Sequence, residues 1–484
     1  MKKHFYRITQ ILLIALMFSC EGSIDIDPDF LIPEESLTTV ADIERTLLGA
    51  YDSQGQQVNV ITFNAYHSDE VRIGGGNRGQ GLQTHSFQIV PGAGIANGLY
   101  FGYYNVIDQA NRVIERLDTF EIDDQALADQ VRGEALVMRA YNYFELLRAF
   151  APSFDANSPA VPLITQVLRF PEAGTSFPRN NVGEVIAQID QDLAAARLLI
   201  PANSGVANTR FTLTSLDALE ARIGLYLNTP TRLATSRDLA TNVIAATPLV
   251  NAANYLTQFR DNFSADPSEY IFVVDRDNGD GRVGQVFNDN NGQVGFSMSL
   301  GLLGQFAPTD ARNDVLIDLE TEITTTQTTN FGPTGDVVVG KYIGVPNLPS
   351  LNNIPIFRSS EMLLIRAEAN ARLGDLPAAQ ADIEAIRTIR NSGSATPTYG
   401  DLDTALTDIL FERRIELAFE GHRAYDLKRF GLGITRTTND FAGVGRAATT
   451  ESLPAGSFRY TLPIPTAEIF ANDGISDADQ NPGY

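Results

Sequence analysis

The sequence predicts a mainly α-helical protein in which paired helices support a mixed α/β insert. Apolar residues recur at helical spacing in three long stretches, about residues 100–150, 181–246 and 359–431. Between about residues 255 and 355 this periodicity fades, and short runs typical of strands replace it. With 484 residues and 43% hydrophobic composition, the chain can bury the core of one large helical domain.

The chain begins with a pattern typical of an exported lipoprotein. A basic start is followed by an unbroken apolar run at residues 11–18, which is too short to span a bilayer as a helix. Cys20, the only cysteine, follows a small residue, Ser19, directly after this run. We therefore expect a signal peptide at residues 1–19 and lipid attachment at Cys20. An ordinary secretory signal cut elsewhere is the alternative.

Charge and cysteine content exclude several classes of function. The net charge of −23 should repel nucleic acid, so no nucleic-acid partner is expected. One cysteine permits neither a disulfide within the chain nor a metal site built on several cysteines. Residues 20–36 are acidic and contain two prolines, which predicts an extended lipidated tether. Residues 37–484 are then one folded domain.

The first elements are a capped helix and a long loop. A helix is predicted over residues 38–55, with Thr38 or Thr39 as N-cap and Gly55 near its end. Residues 61–99 are rich in Gly and Asn and have little apolar periodicity, which predicts a structured loop with short strands. Loops of this length are often functional, so we expect the binding region at about residues 61–104.

The helices that follow come in pairs, and two of the pairs resemble tetratricopeptide units. In "LLIRAEANARLGDLPAAQADIEAIRTIR", Ala367, Gly374, Ala379 and Ile383 occupy the small and apolar positions that let two helices pack closely. The last predicted helix is "DTALTDILFERRIELAFEGHRAYDLKRFG". In the insert, "EYIFVVDRDNGDGRVGQVF" predicts strand, turn and strand, "TEITTTQTTN" a polar loop, and "FGPTGDVVVGKYIG" a hairpin.

Several blocks resemble one known family, the SusD/RagB nutrient-binding lipoproteins of the Gram-negative outer membrane. The strongest is "ILFERRIELAFEGHRAYDLKRFG" at residues 409–431, followed by the C-terminal "LPIPTAEIFANDGISDADQNPGY". "YNVIDQANRVI", "GEALVMRAYNYFELLRAFA", "NVGEVIAQIDQDLAAA" and "FRSSEMLLIRAEANARLGD" match in the expected order. The resemblance therefore spans essentially the whole chain.

The resemblance implies a SusD-like fold of tetratricopeptide-type helical repeats supporting an irregular mixed region. It implies a lipid anchor in the outer membrane, facing the cell exterior. It also implies a binding protein without catalytic activity, which captures an oligosaccharide or another nutrient and passes it to a SusC-like TonB-dependent transporter. The family often has Trp where this chain has Tyr100, and the chain contains no Trp. Either Tyr and Phe provide the platform for a sugar ring, or the ligand is not a typical glycan.

Candidate ligand-binding residues lie in the loop and at the start of the next helix. Sugar recognition needs flat apolar surfaces beside planar hydrogen-bonding groups, and "NAYHSDEVRIGGGNRG" and "NGLYFGYY" supply both. The candidates are His67, Asp69, Arg72, Asn77, Arg78, Tyr100 and Phe101, with Phe296 and Phe306 of the insert as further ones. Packing in the core is the alternative for Tyr100 and Phe101.

Two other motifs resemble functional sites, one catalytic and one calcium-binding. Glu412, Glu416 and Glu420 are spaced four apart on one predicted helical face, with Arg413 and Arg414 as ion-pair partners at helical spacing, which favours an ion-pair ladder over a catalytic site. His422 is then a packing or hydrogen-bonding histidine. Asp275 begins a stretch that resembles a calcium loop, but Val286 stands where the bidentate Glu belongs. A hairpin turn is favoured there, a looser structural calcium site is the alternative, and no cofactor is expected.

Two functions remain open besides nutrient binding. Paired carboxylates of a secreted glycoside hydrolase are possible in a chain with 59 acidic residues. A helical-repeat lipoprotein that binds only other proteins is the second alternative.

Overall fold

The computed structural model describes residues 37–169, 176–260, 268–288, 293–316, 336–345, 348–437, 440 and 452–484. The predicted signal peptide, the tether at residues 20–36 with Cys20, and the polar loop at residues 321–330 lie outside the described residues.

Helix α1 (Val40–Asp52) begins at the predicted cap. The Thr39 side chain accepts a hydrogen bond from the Asp42 backbone N–H, and the Asp42 carboxylate accepts one from the Thr39 N–H at 2.9 Å. This reciprocal capping box pairs two backbone donors that a helix start otherwise leaves unbonded. The predicted N-cap at Thr39 is therefore confirmed.

The other helices follow in chain order. They are α2 (Gln57–Tyr66), α3 (Leu82–His85), α4 (Gly94–Thr119), α5 (Gln125–Phe150), α6 (Val182–Leu199), α7 (Leu213–Leu227), α8 (Pro230–Ala246), α9 (Ala252–Arg260), α10 (Leu300–Leu303), α11 (Arg312–Leu316), α12 (Ser359–Arg372), α13 (Leu376–Arg390), α14 (Leu402–Glu416), α15 (Arg423–Arg429) and α16 (Thr466–Ala471). Helix α5 packs between α4 and α6, α7 packs on α8, and α12 joins α8 to α13 and α14. Among the described residues, no helix has the length and hydropathy needed to cross a membrane.

Within the described residues, the strands form four antiparallel two-stranded pairs. They are β1 (Val71–Ile73) with β3 (Phe296–Met298), β2 (Tyr270–Val274) with β6 (Ile354–Arg358), β4 (Gly344–Val345) with β5 (Leu348–Pro349), and β7 (Ile434–Thr435) with β8 (Ser452–Leu453).

The helix pair α12–α13 matches the predicted repeat unit. Ala367, Ala379 and Ile383 are fully buried in one hydrophobic cluster between the two helices. Gly374 ends α12 with a φ of +89°, a conformation that glycine adopts without the strain a Cβ would bring. The predicted turn and the predicted close packing are therefore confirmed.

Two predicted elements outside the insert differ in the structure. The predicted loop at residues 61–99 begins inside α2, which is buried on most sides and so has no apolar stripe to reveal it. The predicted last helix is broken into α14 and α15, because Phe419 and Gly421 adopt φ angles of +65° and +83°.

The insert also pairs differently from the prediction. Strand β2 does not pair with the predicted second strand, because residues 283–286 form a short 3₁₀ helix, and its partner is β6. A hairpin is predicted at residues 331–344, of which the structure describes residues 336–344. These residues do not form the predicted hairpin, because Gly340–Tyr342 is a 3₁₀ turn that leads into β4. Long-range pairing of this kind leaves no local sequence signal.

Candidate ligand-binding site

His67 lies in the core rather than at a surface. Its ring stacks on Phe63 at 5.0 Å, and its Nδ1 lies 3.3 Å from the Thr84 carbonyl oxygen. Burial, together with the nearby Arg436 charge, lowers the pKa of His67 to about 3. The ring is therefore neutral at physiological pH and packs as an aromatic group.

Asp69 joins the loop to the C-terminal helices. Its carboxylate accepts two hydrogen bonds from Arg423, at 2.7 and 2.9 Å, and lies 3.1 Å from Arg414. Burial opposes ionisation, but the charges of Arg423 and Arg414 lower the pKa of Asp69 to about 2. The carboxylate is thus ionised and tied to α14 and α15.

Arg72 and Phe296 lie in the β1–β3 pair. Arg72 stands opposite Ser297, and its guanidinium lies 3.5 Å from the Asp336 carboxylate. Phe296 is buried and stacks on Tyr66 with ring centroids 3.8 Å apart. Both side chains hold the loop against the insert.

The remaining loop candidates differ in exposure. The Asn77 amide donates to the carbonyl oxygens of Gln80 and Gly295, which closes the glycine-rich turn. Arg78 is exposed and donates to the Gln293 side-chain oxygen at 2.9 Å. Phe306 is partly buried against the main core.

Tyr100 and Phe101 are neighbours on α4 with opposite environments. The Tyr100 ring is fully buried against Phe150 and Tyr104, at centroid distances of 5.2 and 4.8 Å. Phe101 is 40% exposed. The structure therefore does not gather the nine candidates into one surface, and Arg78 and Phe101 are the most exposed of them. That any of the nine contacts ligand remains a prediction.

Phe101 lines a cavity of about 320 Å³ along the outer face of α4, which we call the α4 cavity. Its lining consists of Phe101, Tyr104, Asn105, Ile107, Asp108, Asn111, Ile164, Leu168 and Glu468. Helical spacing places Phe101, Tyr104, Asn105 and Asp108 on one face of α4. Sequence reasoning found only Phe101 here, although this spacing could have revealed the other three.

The facing wall, residues 162–166, is held by partly buried hydrogen bonds. The Tyr104 hydroxyl donates to the Pro162 carbonyl oxygen at 2.7 Å. The Tyr143 hydroxyl donates to the Ile164 carbonyl oxygen at 2.8 Å and accepts from the Ile164 N–H at 2.7 Å. The Asn111 amide donates to the same Ile164 oxygen at 3.1 Å. The cavity wall is thus preorganised, which lowers the entropic cost of binding.

The polar groups of the α4 cavity include two amides, Asn105 and Asn111, and two carboxylates. Asn105 is exposed, and Asp108 accepts a hydrogen bond from Arg112 at 2.7 Å. Burial raises the pKa of Glu468, which also accepts a hydrogen bond from the Asn472 amide at 2.9 Å. An aromatic ring beside planar hydrogen-bonding groups can bind the apolar face and the hydroxyls of a sugar ring.

The carboxylates of the Glu412–Glu420 block are structural. Glu416 is buried and accepts from Arg358 at 2.7 Å, and Arg312 donates to Glu412 at 2.6 Å. Glu420 lies beyond the end of α14 and accepts from Arg358 at 2.8 Å. The predicted ion pairing of these glutamates is confirmed, but the predicted partners are wrong, because Arg413 pairs with Asp426 and Arg414 with Asp69. Glu420 also does not lie on the predicted helical face.

The aspartates of the calcium-like stretch form a turn. The Asp280 carboxylate accepts from the Asp277 N–H at 2.9 Å, and the Asp277 carboxylate accepts from the Gly279 N–H at 2.6 Å. In the part of the chain that the structure describes, no three His, Cys, Asp or Glu side chains lie close enough to hold a metal ion.

Two family models match the chain. Residues 324–484 match the SusD family, and residues 24–225 match a family described as starch-binding and associating with the outer membrane. A solved SusD superfamily protein from Bacteroides thetaiotaomicron superposes with a TM-score of 0.76 at 25% identity, covering 92% of this chain and 100% of that one.

The chain is a SusD-like protein.

Other similarities agree. The SusD-like protein is 25% identical to SusD-like protein P2 of Formosa agariphila over the full length of both. It is 31% identical to the starch-binding protein SusD of Bacteroides thetaiotaomicron over 30% of this chain and 24% of that one. A putative sugar-binding protein from Bacteroides vulgatus shares the fold, with a TM-score of 0.76 at 22% identity over 93% and 99% of the two chains. The predicted SusD-like helical fold and the association with the outer membrane are therefore confirmed.

Proposed function

We propose that this SusD-like protein is a cell-surface lipoprotein that binds an oligosaccharide in the α4 cavity and passes it to a SusC-like TonB-dependent transporter. The observation that carries the proposal is the exposed Phe101 ring in a preorganised cavity with polar groups at its edge. The starch-binding description of the matching family supports a neutral glucan as the first ligand to test.

The aromatic and the polar residues of the α4 cavity would contact different parts of a sugar. Phe101 and Tyr104 provide aromatic surface in a chain without Trp, and burying the apolar face of a sugar there releases water from both surfaces. Asn105, Asp108 and Glu468 can exchange hydrogen bonds with hydroxyl groups. Each of these interactions positions a ligand, and none requires a bond in the ligand to break.

The binding proposal is tested by calorimetric titration with malto-oligosaccharides. Replacing Phe101 by Ala removes the exposed ring, and we expect affinity to fall about tenfold, or about 1.4 kcal/mol. Leu402 is 40% exposed, like Phe101, and lines neither this cavity nor the other described ones, so Leu402→Ala is the matched control and should bind like the parent protein. Equal affinity of the two variants, or no binding to any oligosaccharide, would count against the proposal.

The anchor and the partner need separate experiments. Metabolic labelling with palmitate should modify the protein and fail after Cys20→Ala, and labelling that survives this change would contradict attachment at Cys20. Pull-down of the full-length protein from its own membranes should recover a TonB-dependent transporter. Recovery of other proteins only, with no glycan affinity, would favour the protein-binding scaffold.

One observation favours the hydrolase as a second candidate. Glu468, with a raised pKa, and Asp108 line the same cavity, and glycosidases use a protonated and an ionised carboxyl group. Reducing-end release from starch that is abolished by Glu468→Gln would establish catalysis. We expect no release, with Glu468→Gln altering affinity alone.

A further inference from the structure

A second cavity of about 190 Å³ lies between α15 and the C-terminal segment, and we call it the α15 cavity. Its wall is largely apolar, with Leu432 41% and Phe458 37% exposed. Lys428 is the one charged residue among its described lining residues, and none of these is Asp or Glu. The α15 and α4 cavities share no lining residue.

The Lys428 ammonium is held in place by backbone groups. Its Nζ donates to the carbonyl oxygens of Arg148 at 3.1 Å and Ala151 at 2.7 Å, at the C-terminal end of α5. An ammonium group has three N–H donors, so these two bonds leave one for the cavity that Lys428 lines. No carboxylate among the described residues forms an ion pair with Lys428.

The charged groups around Lys428 already have other partners. On α5, Arg148 pairs with Glu145 at 2.6 Å. On α15, Asp426 accepts from Arg413 at 3.0 Å and from Arg429, which also binds Glu368. On the C-terminal side, Arg459 donates to the Phe87 carbonyl oxygen, and the Tyr460 hydroxyl donates to the Leu432 carbonyl oxygen. None of these bonded groups replaces the missing counter-charge.

We propose that the α15 cavity binds a sugar that carries one anionic group, with its carboxylate or sulfate on Lys428 and its ring against Phe458. An anion there gains a charge-assisted hydrogen bond inside a partly enclosed apolar site, where such a bond is stronger than in water. The Arg459 guanidinium lies over the Phe458 ring at 5.0 Å, and the Tyr484 ring meets it edge-on at 5.2 Å. The part of the Phe458 side chain that stays exposed offers the apolar surface that a sugar face requires.

The environment of Lys428 gives this site a pH signature. Burial, with a contribution from the Arg148 charge, lowers the pKa of Lys428 to about 7. A bound anion favours the charged ammonium, so binding takes up a proton near neutral pH. Affinity therefore rises as pH falls from about 8 to about 6, by about tenfold from the change in the ammonium fraction.

The experiment uses the full chain and sodium glucuronate, with glucose as the neutral analogue of the same ring. Titration followed by calorimetry should show glucuronate binding that survives Phe101→Ala, which separates this site from the α4 cavity. Lys428 also holds the end of α5, so its removal could unfold the protein. The informative changes are therefore made at exposed Leu432 on the rim.

Leu432→Asp places a carboxylate beside the bound anion, and Leu432→Asn is its neutral match. We expect glucuronate to bind about tenfold more weakly to the Asp variant than to the Asn variant, from repulsion between like charges. Lys428→Arg keeps the charge at every pH used and should abolish the pH dependence. Equal binding of glucuronate and glucose, equal affinity of the two Leu432 variants, or no glucuronate binding would overturn the proposal. Glucose 6-sulfate in place of glucuronate tests which anionic group the site prefers.

Discussion

The buried carboxylate of Glu416 gives the sharpest test of what holds the insert to the helical scaffold. Glu416 accepts hydrogen bonds from Arg358 at 2.7 Å and from Arg390 and Arg312 at 3.3 Å, and all four residues are buried. Arg312 and Arg358 come from the insert region, whereas Arg390 ends α13. Glu416→Gln keeps the shape of the side chain and removes its charge.

The expected loss of stability depends on which carboxylates remain paired with each arginine after the change. Removing one partner from a buried ion pair costs about 3–5 kcal/mol when a charge is left uncompensated. Here every arginine retains another carboxylate: Asp310 and Glu412 for Arg312, Glu420 for Arg358, and Glu269 for Arg390. We therefore expect a loss near the lower limit, about 3 kcal/mol of the free energy of unfolding.

Urea unfolding followed by far-ultraviolet circular dichroism measures this loss, since the chain has no Trp to report by fluorescence. The control is Glu115→Gln, because Glu115 pairs with Arg169 at 2.9 Å with its side chain 39% exposed. That surface pair should contribute less than about 1 kcal/mol. Equal losses in the two variants would refute the reasoning.

The same comparison has a pH signature. Burial opposes ionisation of Glu416, but the charges of Arg390, Arg358 and Arg312 hold its pKa well below the usual range. A lowered native pKa stabilises the fold above the unfolded-state pKa of about 4.3, and this contribution is lost as pH falls toward the native pKa. The difference between the parent protein and Glu416→Gln should therefore be constant near neutral pH and shrink in acid.

Two further substitutions test the cavity wall and the first cap. Tyr143→Phe removes both hydrogen bonds to Ile164, so we expect a loss of about 1–2 kcal/mol in stability and weaker oligosaccharide binding by titration. The control, Tyr399→Phe, removes the hydrogen bond from the Tyr399 hydroxyl to Asp408 on α14, so it should lower stability and leave the affinity for oligosaccharide unchanged. An equal fall in affinity in both variants would argue against a role of the cavity wall in binding. Thr39→Ala removes the side chain of the capping box and should lower the free energy of unfolding by about 1 kcal/mol. Thr38→Ala is the control and should lower it by less. A larger loss for Thr38→Ala would place the cap at Thr38.

The family and most of the helices could be predicted from the sequence because their signals are local. Apolar periodicity located α4 to α8 and α12 to α14, and polar residues next to apolar runs located the cap at Thr39. Charge spacing within residues 412–420 predicted the ion-pair ladder, although its arginine partners Arg312, Arg358 and Arg390 come from distant segments.

Helical spacing groups four of the residues that line the α4 cavity, but the rest of the site depends on contacts that leave no local signal. Tyr100 and Phe101 are adjacent aromatics, and only packing against Phe150 decides that Tyr100 is buried while Phe101 faces the α4 cavity. The opposite wall comes from Ile164 and Glu468, which the fold brings to α4 from distant parts of the chain. The sequence by itself determined the helical SusD-like architecture, because helix formation depends on neighbouring residues. The tertiary structure alone decided which side chains line a cavity, because that depends on which helices and loops pack together.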